Sequence, residues 1–267
     1  MSVNTWETLE VLITVRTYPT PARKGIEVSC TAGITRAGDW IRLFPVPYRL
    51  LPRDKQFHKY QWVRLSVSRS RDHRVESYRI DSETIEILTP PLSSANGWRD
   101  RKAVVTPLIS QSLCALRRER DLNKSPTLGL FRPKKIIGLT IEPDTPDWTE
   151  SQRNRLSQLN MFEQAPLQEL QKIPYKFRYR FLCDDPKCTG HHLTCSDWEI
   201  HQAYRNWSAK YGKEWEGPFR QRFEAKMIEK YDTHFYVGTI HLHPQEWIII
   251  GLFYPPKINQ PQLFPPS

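Results

Sequence analysis

The sequence predicts an α+β protein, with a small β-barrel in its N-terminal half and an α+β domain in its C-terminal half. Short, alternating, β-branched segments fill the first half, separated by glycine and proline. Short strands at such spacing are typical of a barrel rather than a βαβ sheet. The second half mixes strands and capped helices around a group of cysteines and histidines.

The barrel strands are predicted from alternation, because a strand with one buried face places apolar residues at every second position. Pro45 and Pro47 end one segment, since proline cannot donate a hydrogen bond to a sheet. Gly38 is expected in the turn before that segment. The predicted strands are residues 8–18, 24–34, 39–44, 61–68 and 84–88.

A helix is predicted to begin near Thr106, where Pro107 suits the first helical position, and a strand is predicted at Lys135–Ile141. Residues 142–147 contain two prolines and three acids, so we place a domain boundary there. The predicted division is residues 1–145, residues 146–255 and a proline-rich tail, 256–267.

The strongest alternation in the C-terminal half is at Tyr175–Phe181, where aromatic residues share one strand face and basic residues the other. We expect the aromatic face in the core. A capping box of Ser196 and Glu199 predicts a following helix. Further helices are expected at 149–161 and after Gly217, and strands at 234–241 and 247–254.

Charge favours a polyanionic partner. The chain has 39 lysines and arginines against 29 acids, a net charge of +10, and such a balance is typical of nucleic-acid binding, although solubility alone is the alternative.

No apolar run approaches the ~20 residues of a membrane span. We expect no membrane partner. Clustered cysteines in an odd total of five favour a reducing compartment, so we expect a cytoplasmic protein.

The Cys/His group is the clearest candidate site. Zinc prefers four thiolate or imidazole ligands in a tetrahedron, and the loop between a strand and a helix could supply them. The alternatives are unliganded core cysteines with surface histidines, or an activated thiolate. The candidate metal ligands are Cys183, Cys188, His191, His192 and Cys195.

Carboxylates follow this group closely, and carboxylates with histidines are what a metal-dependent nuclease uses to activate water. Capping of the helix explains Glu199 equally well, and Asp197 suits its first turn. The candidate catalytic residues are His191, His192, Asp197 and Glu199.

Basic residues concentrate between Arg99 and Lys135, where ten lysines and arginines face three acids. Such a stretch could neutralise phosphates, or be a solvated helix face. The candidate nucleic-acid contacts are Arg42, Arg117, Arg118, Arg120, Lys124, Arg132, Lys134, Lys135, Lys176, Arg178 and Arg180.

The N-terminal half resembles an uncharacterised bacterial family with two OB-type domains, found near phage-defence and mobile-element genes. Over about residues 8–142, the pieces that carry the resemblance are Tyr18-Pro19, Cys30–Ile34, Gly38–Pro45, Asp72–Ser77, Thr127–Gly129 and Phe131–Lys134. The resemblance implies OB-like barrels and a role with nucleic acid or modified nucleotides. It supplies no catalytic residue.

Three functions follow as hypotheses. The first is a nucleic-acid-binding protein (DNA or RNA) of a bacterial defence or mobile-element system. The second is a metal-dependent nuclease or an enzyme that processes modified bases. The third is a non-catalytic interaction subunit that recognises a small nucleotide or a partner protein, such as one of the same system.

Overall fold

The N-terminal half forms a β-barrel. The computed structural model describes residues 5–22, 27–157 and 169–257. Short 3-10 turns lie at Tyr48–Leu50, Arg53–Lys55 and Ser82–Thr84. The strands of this half are β1 (Trp6–Arg16), β2 (Thr20–Pro21), β3 (Glu27–Thr35), β4 (Trp40–Val46), β5 (Trp62–Arg69), β6 (Ser77–Ile80) and β7 (Glu86–Ile87).

Five strands close the barrel in the order β1-β3-β4-β6-β5, because β1 pairs with both β3 and β5. All pairs are antiparallel except that between β4 and β6. The barrel interior is mainly aliphatic, and its buried side chains include Val11, Ile13, Ile41, Leu43 and Val63. The alternating apolar positions of the sequence supply this interior.

The C-terminal region is a mixed α+β structure with two sheets. One sheet has the strand order Lys135–Pro143, Tyr175–Leu182, His191–Thr194, and the other the order Trp247–Phe253, His234–Thr239, Leu128–Phe131, Ile109–Ser110. A π-helical turn, Gln221–Ala225, joins the last two helices, and 3-10 turns lie at Thr106–Leu108 and Gly212–Trp215. The elements are α1 (Ala95–Val105), β8 (Ile109–Ser110), α2 (Leu113–Asn123), β9 (Leu128–Phe131), β10 (Lys135–Pro143), α3 (Glu150–Ser157), β11 (Tyr175–Leu182), β12 (His191–Thr194), α4 (Trp198–Tyr211), α5 (Glu216–Arg220), α6 (Lys226–Glu229), β13 (His234–Thr239) and β14 (Trp247–Phe253).

The outer face of β3 and β4 is buried against the four-stranded sheet. Ala32, Ile34 and Trp40 pack in one cluster with Leu130 and Tyr236 of that sheet. The sheet also approaches β1 closely, because a Cβ at Gly251 of β14 would lie 2.9 Å from the side chain of Val15 on β1. The barrel and the C-terminal region therefore share a core.

A third core lies beneath the helices. The aromatic face of β11 is buried as predicted, with Phe177, Tyr179 and Phe181 fully inaccessible. Phe219 and Phe223 of the helical segment pack on this face, with 4.7 Å between the ring centroids of Phe177 and Phe219. Burial of this aromatic surface stabilises the C-terminal region.

The carboxylate of Asp197 joins three elements where the two halves meet. It is fully buried, and its Oδ1 accepts a hydrogen bond from the Glu199 backbone N–H at the start of α4. Its Oδ2 accepts from the backbone N–H of Leu252 on β14 and from Lys59 Nζ of the barrel, each at 3.1 Å. Burial opposes the charge of Lys59, but the Asp197 carboxylate outweighs this and raises the pKa of Lys59 above its usual value.

Two helix starts differ from the sequence prediction. Thr106–Leu108 is only a 3-10 turn, and α2 begins at Leu113, where the Ser112 hydroxyl accepts from the Ala115 N–H. The cap of α4 is Asp197, one residue after the predicted Ser196. The Asp197 carboxylate accepts the capping hydrogen bond that the Ser196 hydroxyl was expected to accept.

The domain division at residue 145 stays a prediction, but strands on both sides of it pair: β10 with β11, and β9 with β13. The helix predicted at 149–161 is observed over Glu150–Ser157, and its remainder lies outside the described residues. The predicted tail falls outside them from residue 258 onward.

Among the described residues, no helix has the length and apolarity needed to cross a membrane.

We expect Asp197→Ala to lower the free energy of unfolding by about 3–5 kcal/mol, because the change leaves the ammonium of Lys59 unpaired at the junction of the two halves. Chemical denaturation followed by tryptophan fluorescence measures this loss. The control is Asp39→Ala, at an exposed position in a turn, which should change stability by less than about 0.5 kcal/mol. Equal effects of the two substitutions would contradict the role of the buried pair.

Candidate metal centre

Four side chains converge between α2 and the hairpin of β11 and β12. They are Cys114, Cys183, Cys188 and His191, and their ligand atoms all lie within 4.8 Å of one another. His191 Nε2 is 3.2 Å from Cys114 Sγ and 3.4 Å from Cys188 Sγ. A four-coordinate metal with bonds of about 2.0–2.3 Å separates its ligand atoms by about 3.5–3.8 Å. The group therefore has the dimensions of a metal site and could hold a metal ion.

Local structure holds each ligand in place. Cys114 lies in the first turn of α2, directly after the Ser112 cap, so the start of this helix fixes the position of its sulfur. Cys183 and Cys188 lie in the loop after β11, and the Cys183 N–H donates to Cys188 Sγ at 3.2 Å. The positive φ of Gly190, +102°, turns the chain back into β12, which begins with His191.

An ion pair fastens this loop to α2. Arg118 lies 2.7 Å from the carboxylate of Asp185. The Asp185 carboxylate also accepts from the Lys187 N–H, and its backbone carbonyl accepts from the Cys188 N–H. Because Arg118 and Cys114 belong to the same helix, this ion pair connects the helix that carries Cys114 to the loop that carries Cys183 and Cys188.

Protonation of the side chains favours the imidazole as a ligand and opposes the Cys114 thiolate. Burial and the nearby charge of Arg117 lower the pKa of His191 to about 4, so its imidazole is neutral near pH 7 and has a free lone pair. Burial and the neighbouring Cys183 and Cys188 sulfurs raise the pKa of Cys114 to about 12. A bound cation reverses this because coordination deprotonates the thiol.

Sequence reasoning found three of the four residues and missed Cys114. No local spacing indicates Cys114, because two strands lie between α2 and β11. The five candidates between Cys183 and Cys195 were already enough for four ligands, so nothing in the sequence indicated a further ligand on α2.

Two predicted ligands lie elsewhere, and their assignment was wrong. His191 and His192 are adjacent on a strand and point to opposite faces. His192 Nε2 lies 3.1 Å from Thr140 Oγ1 on the outer face of the sheet. Cys195 is fully buried beyond the end of β12, where it bridges to Ile249 of β14.

The four predicted catalytic residues do not form one site. His191 belongs to the metal centre and His192 to the outer sheet face, whereas Asp197 is buried in its pair with Lys59. Glu199 accepts a hydrogen bond from the hydroxyl of Tyr254. The four side chains therefore do not converge on a single catalytic site.

Arg42 was wrongly predicted as a nucleic-acid contact. It faces away from the barrel interior as expected, but that outer face is covered, and Arg42 is only 2% exposed. Its guanidinium donates to the Ser77 hydroxyl and to the hydroxyl and carbonyl of Thr127. Glu76 in turn accepts from the Thr127 hydroxyl and N–H. The arginine is part of the contact between the two halves.

Several other predicted contacts form ion pairs within the protein. Arg132 lies 2.5 Å from Asp232, and Lys134 lies 3.2 Å from Asp184. Arg117 and Arg120 are half-buried, whereas Lys124 and Lys135 are exposed. The stretch after α1 is therefore less available to a phosphate backbone than its composition predicts.

The outer face of β11 presents the remaining candidates. Lys176 and Arg180 are exposed, and Arg178 is half-buried beside Glu142 at 3.3 Å. The register places Arg180 opposite His192 on β12. Burial and the adjacent Arg178 lower the pKa of His192.

Family models match both halves of the chain. Residues 109–267 match the domain of unknown function DUF8757. The chain belongs to this family. Residues 7–107 match a second domain of unknown function, DUF8758. The match to DUF8757 begins at Ile109, where β8 starts the four-stranded sheet. A search of curated proteins found no significant match.

We expect Cys114→Ser to abolish metal retention as completely as Cys188→Ser does, because both sulfurs belong to one coordination sphere. Elemental analysis after gel filtration should give one metal ion less per chain for either variant. Cys195→Ala and His192→Ala serve as controls and should retain it. Metal retention by Cys114→Ser, or its loss in both controls, would refute the assignment.

Proposed function

We propose that this protein binds nucleic acid through the outer face of the three-stranded sheet, with an OB-type barrel as its scaffold and a structural zinc ion in the Cys/His centre. The single observation that carries the proposal is the basic, exposed face of β11. Lys176, Arg178 and Arg180 project from one strand at alternate positions, while the opposite face is anchored in an aromatic core.

This geometry suits a phosphate backbone. Basic residues at alternate positions of a strand are about 6.6 Å apart, close to the distance between successive phosphates of an extended single strand. Arg180 and Lys176 form few ion pairs with the protein's own acidic residues. Lys176 lies 3.5 Å from Asp144, and no ion pair of Arg180 occurs within the described part of the chain. Their charges remain available for phosphate contacts, which dominate non-specific binding.

The barrel supports the proposal as a scaffold. The last of its five strands, β6, lies between β4 and β5 and is parallel to β4. This strand order is the one expected of an OB-type barrel. OB-type barrels bind oligonucleotides on the face of their second and third strands. Here that face, formed by β3 and β4, is covered by the four-stranded sheet. The binding surface must therefore lie elsewhere, and the basic sheet face is the best candidate.

Zinc fits the chemistry of the Cys/His centre. Three thiolates and one imidazole favour zinc over magnesium, calcium or manganese, which take oxygen ligands. Four protein ligands leave no position open for a substrate, as in structural zinc sites. The ion would tie α2 to the hairpin that carries the basic face. The defence or mobile-element setting stays a prediction of the resemblance.

We expect Arg180→Glu to weaken binding of oligonucleotides of every sequence. It should also make the plot of log affinity against log salt concentration shallower by about 1, because one phosphate contact is lost. Fluorescence anisotropy with single- and double-stranded oligonucleotides measures both quantities. Arg99→Glu is the matched control, since it makes the same charge change at an exposed position on α1.

Two results would overturn the proposal. One is an absence of binding by the unaltered protein at low salt. The other is an equal loss of affinity in Arg180→Glu and Arg99→Glu, which would show that only net charge matters.

For the metal, we expect elemental analysis of the purified protein to find zinc at about one ion per chain after dialysis. Replacement by Co²⁺ should give the intense thiolate-to-cobalt absorption of tetrahedral coordination, and Cys114→Ser should lose it. Another metal at full occupancy would refute the zinc assignment without affecting the test of nucleic-acid binding.

A further inference from the structure

A cleft lies where three parts of the fold meet: the loop between β5 and β6, the C-terminal end of α2, and the turn between β13 and β14. Its volume is about 490 Å³. The residues that line it are His73, Arg120, Asp121, Lys124, Thr127, Pro244 and Gln245. Three of these side chains are basic or can become so, and one is acidic.

A second group of metal-ligand side chains borders this cleft. Asp72, His73 and His241 place their ligand atoms within 4.8 Å of one another. Asp72 Oδ1 lies 3.4 Å from Nδ1 of His73 and 3.2 Å from Nδ1 of His241. The two imidazole rings stack nearly in parallel, with centroids 5.5 Å apart. Both histidines therefore direct the same nitrogen toward one carboxylate oxygen.

The carboxylate is held in place before any ligand binds. Arg74 Nε donates to Asp72 Oδ2 at 2.8 Å, and Arg74 Nη1 donates to the Thr239 carbonyl at the end of β13. Partial burial opposes ionisation of Asp72, but Arg74 outweighs it and holds the pKa of Asp72 well below its usual range. Arg74 itself is buried, with 8% of its side chain exposed. A buried arginine that orients a ligand carboxylate is typical of the outer shell of metal sites.

We propose that Asp72, His73 and His241 bind a divalent transition-metal ion with open coordination positions, and that a phosphate group bound in the adjacent cleft completes its coordination. Two imidazoles and one carboxylate favour ions such as Co²⁺, Fe²⁺ or Zn²⁺. Three protein ligands leave room for an exogenous group, in contrast to the closed Cys/His centre.

The cleft supplies the second half of this site. His73 belongs to both the metal group and the cleft wall. Lys124 is exposed beside it at the end of α2. The Arg120 side chain is 11% exposed, and its Nη1 pairs with Asp121 at 2.9 Å and donates to the Gln245 side chain, whereas its buried Nε has no hydrogen-bond partner within the described residues. A phosphate between Lys124 and the metal would neutralise a lysine for which no ion pair occurs within the described residues. This site is independent of the nucleic-acid surface proposed on β11.

Co²⁺ titration of the protein as purified tests the metal site. We expect the double variant His73→Ala/His241→Ala to bind Co²⁺ at least tenfold more weakly than the unaltered protein, as measured by calorimetry. His243→Ala is the matched control, because it removes an exposed histidine from the same turn. The absence of thiolate-to-cobalt absorption shows that the Cys/His centre is not being filled. Circular dichroism establishes that each variant is folded.

Equal Co²⁺ affinity in the double variant and the unaltered protein would overturn the proposal. So would an absence of Co²⁺ binding to the unaltered protein, which would leave the triad as hydrogen-bonded pairs only. An equal loss in His243→Ala would also reject the assignment, since it would indicate general histidine binding at that turn.

Inorganic phosphate is the probe for the cleft. We expect it to bind at least tenfold more tightly with Co²⁺ than without, and Lys124→Ala to weaken phosphate binding with Co²⁺ affinity unchanged. Lys213→Ala, at an exposed lysine after α4, is the control. Phosphate affinity that is indifferent to Co²⁺ and to Lys124 would reject the phosphate ligand.

The source of the phosphate is distinguished by a 5′-phosphorylated oligonucleotide and its 5′-hydroxyl counterpart. Tighter binding of the phosphorylated form in the Arg180→Glu background assigns the cleft to a nucleic-acid end. Equal binding of the two forms, with inorganic phosphate still bound, assigns it to a small phosphorylated ligand. Because Arg180 lies outside the cleft, failure on β11 and failure at this site give different results.

Discussion

The burial of the barrel's outer face against the C-terminal sheet is the constraint on which the rest of the molecule depends. Ala32, Ile34 and Trp40 cover this contact with apolar surface, and two buried ionic groups secure it at separate places. Asp197 joins the start of α4, β14 and Lys59, while Arg42 joins β4 to Thr127. Leaving either charge without its partner would cost several kcal/mol, so the two halves have one favoured arrangement.

This arrangement decides which surfaces remain for function. The strands on which an OB-type barrel would bind an oligonucleotide are used for packing, and Arg42 is used with them. The same contact brings the loop between β5 and β6 against the turn after β13, which Arg74 fastens through Thr239. Two exposed regions result, a basic sheet face on β11 and a cleft with Asp72, His73 and His241 at its edge.

The Cys/His centre has a different physical role from that cleft. Its four ligands come from one helix and one hairpin that are distant in sequence, so a bound ion would close a long loop and reduce the entropy of the unfolded chain. An ion bound there would have soft ligands and a complete coordination sphere. The triad of Asp72, His73 and His241 offers only three ligands, which are harder and more exposed, and this is the arrangement that we propose for an exchangeable ligand.

The sequence by itself determined the local features. Alternation located four of the five barrel strands, β1, β3, β4 and β5, and showed which face of β11 is buried, because a strand has a period of two. It missed β6 and predicted instead a strand at residues 84–88, where the short β7 lies outside the closed barrel. Their spacing alone indicated Cys183, Cys188 and His191 as metal ligands, because they lie close together in the sequence. Tertiary structure decided the remainder: Cys114, His241 and the burial of Arg42 depend on which distant strands pair, and the sequence carries no local signal for that pairing. A basic residue on an alternating strand is equally compatible with solvent and with an interface, and only the packing of the two halves distinguished Arg42 from Arg180.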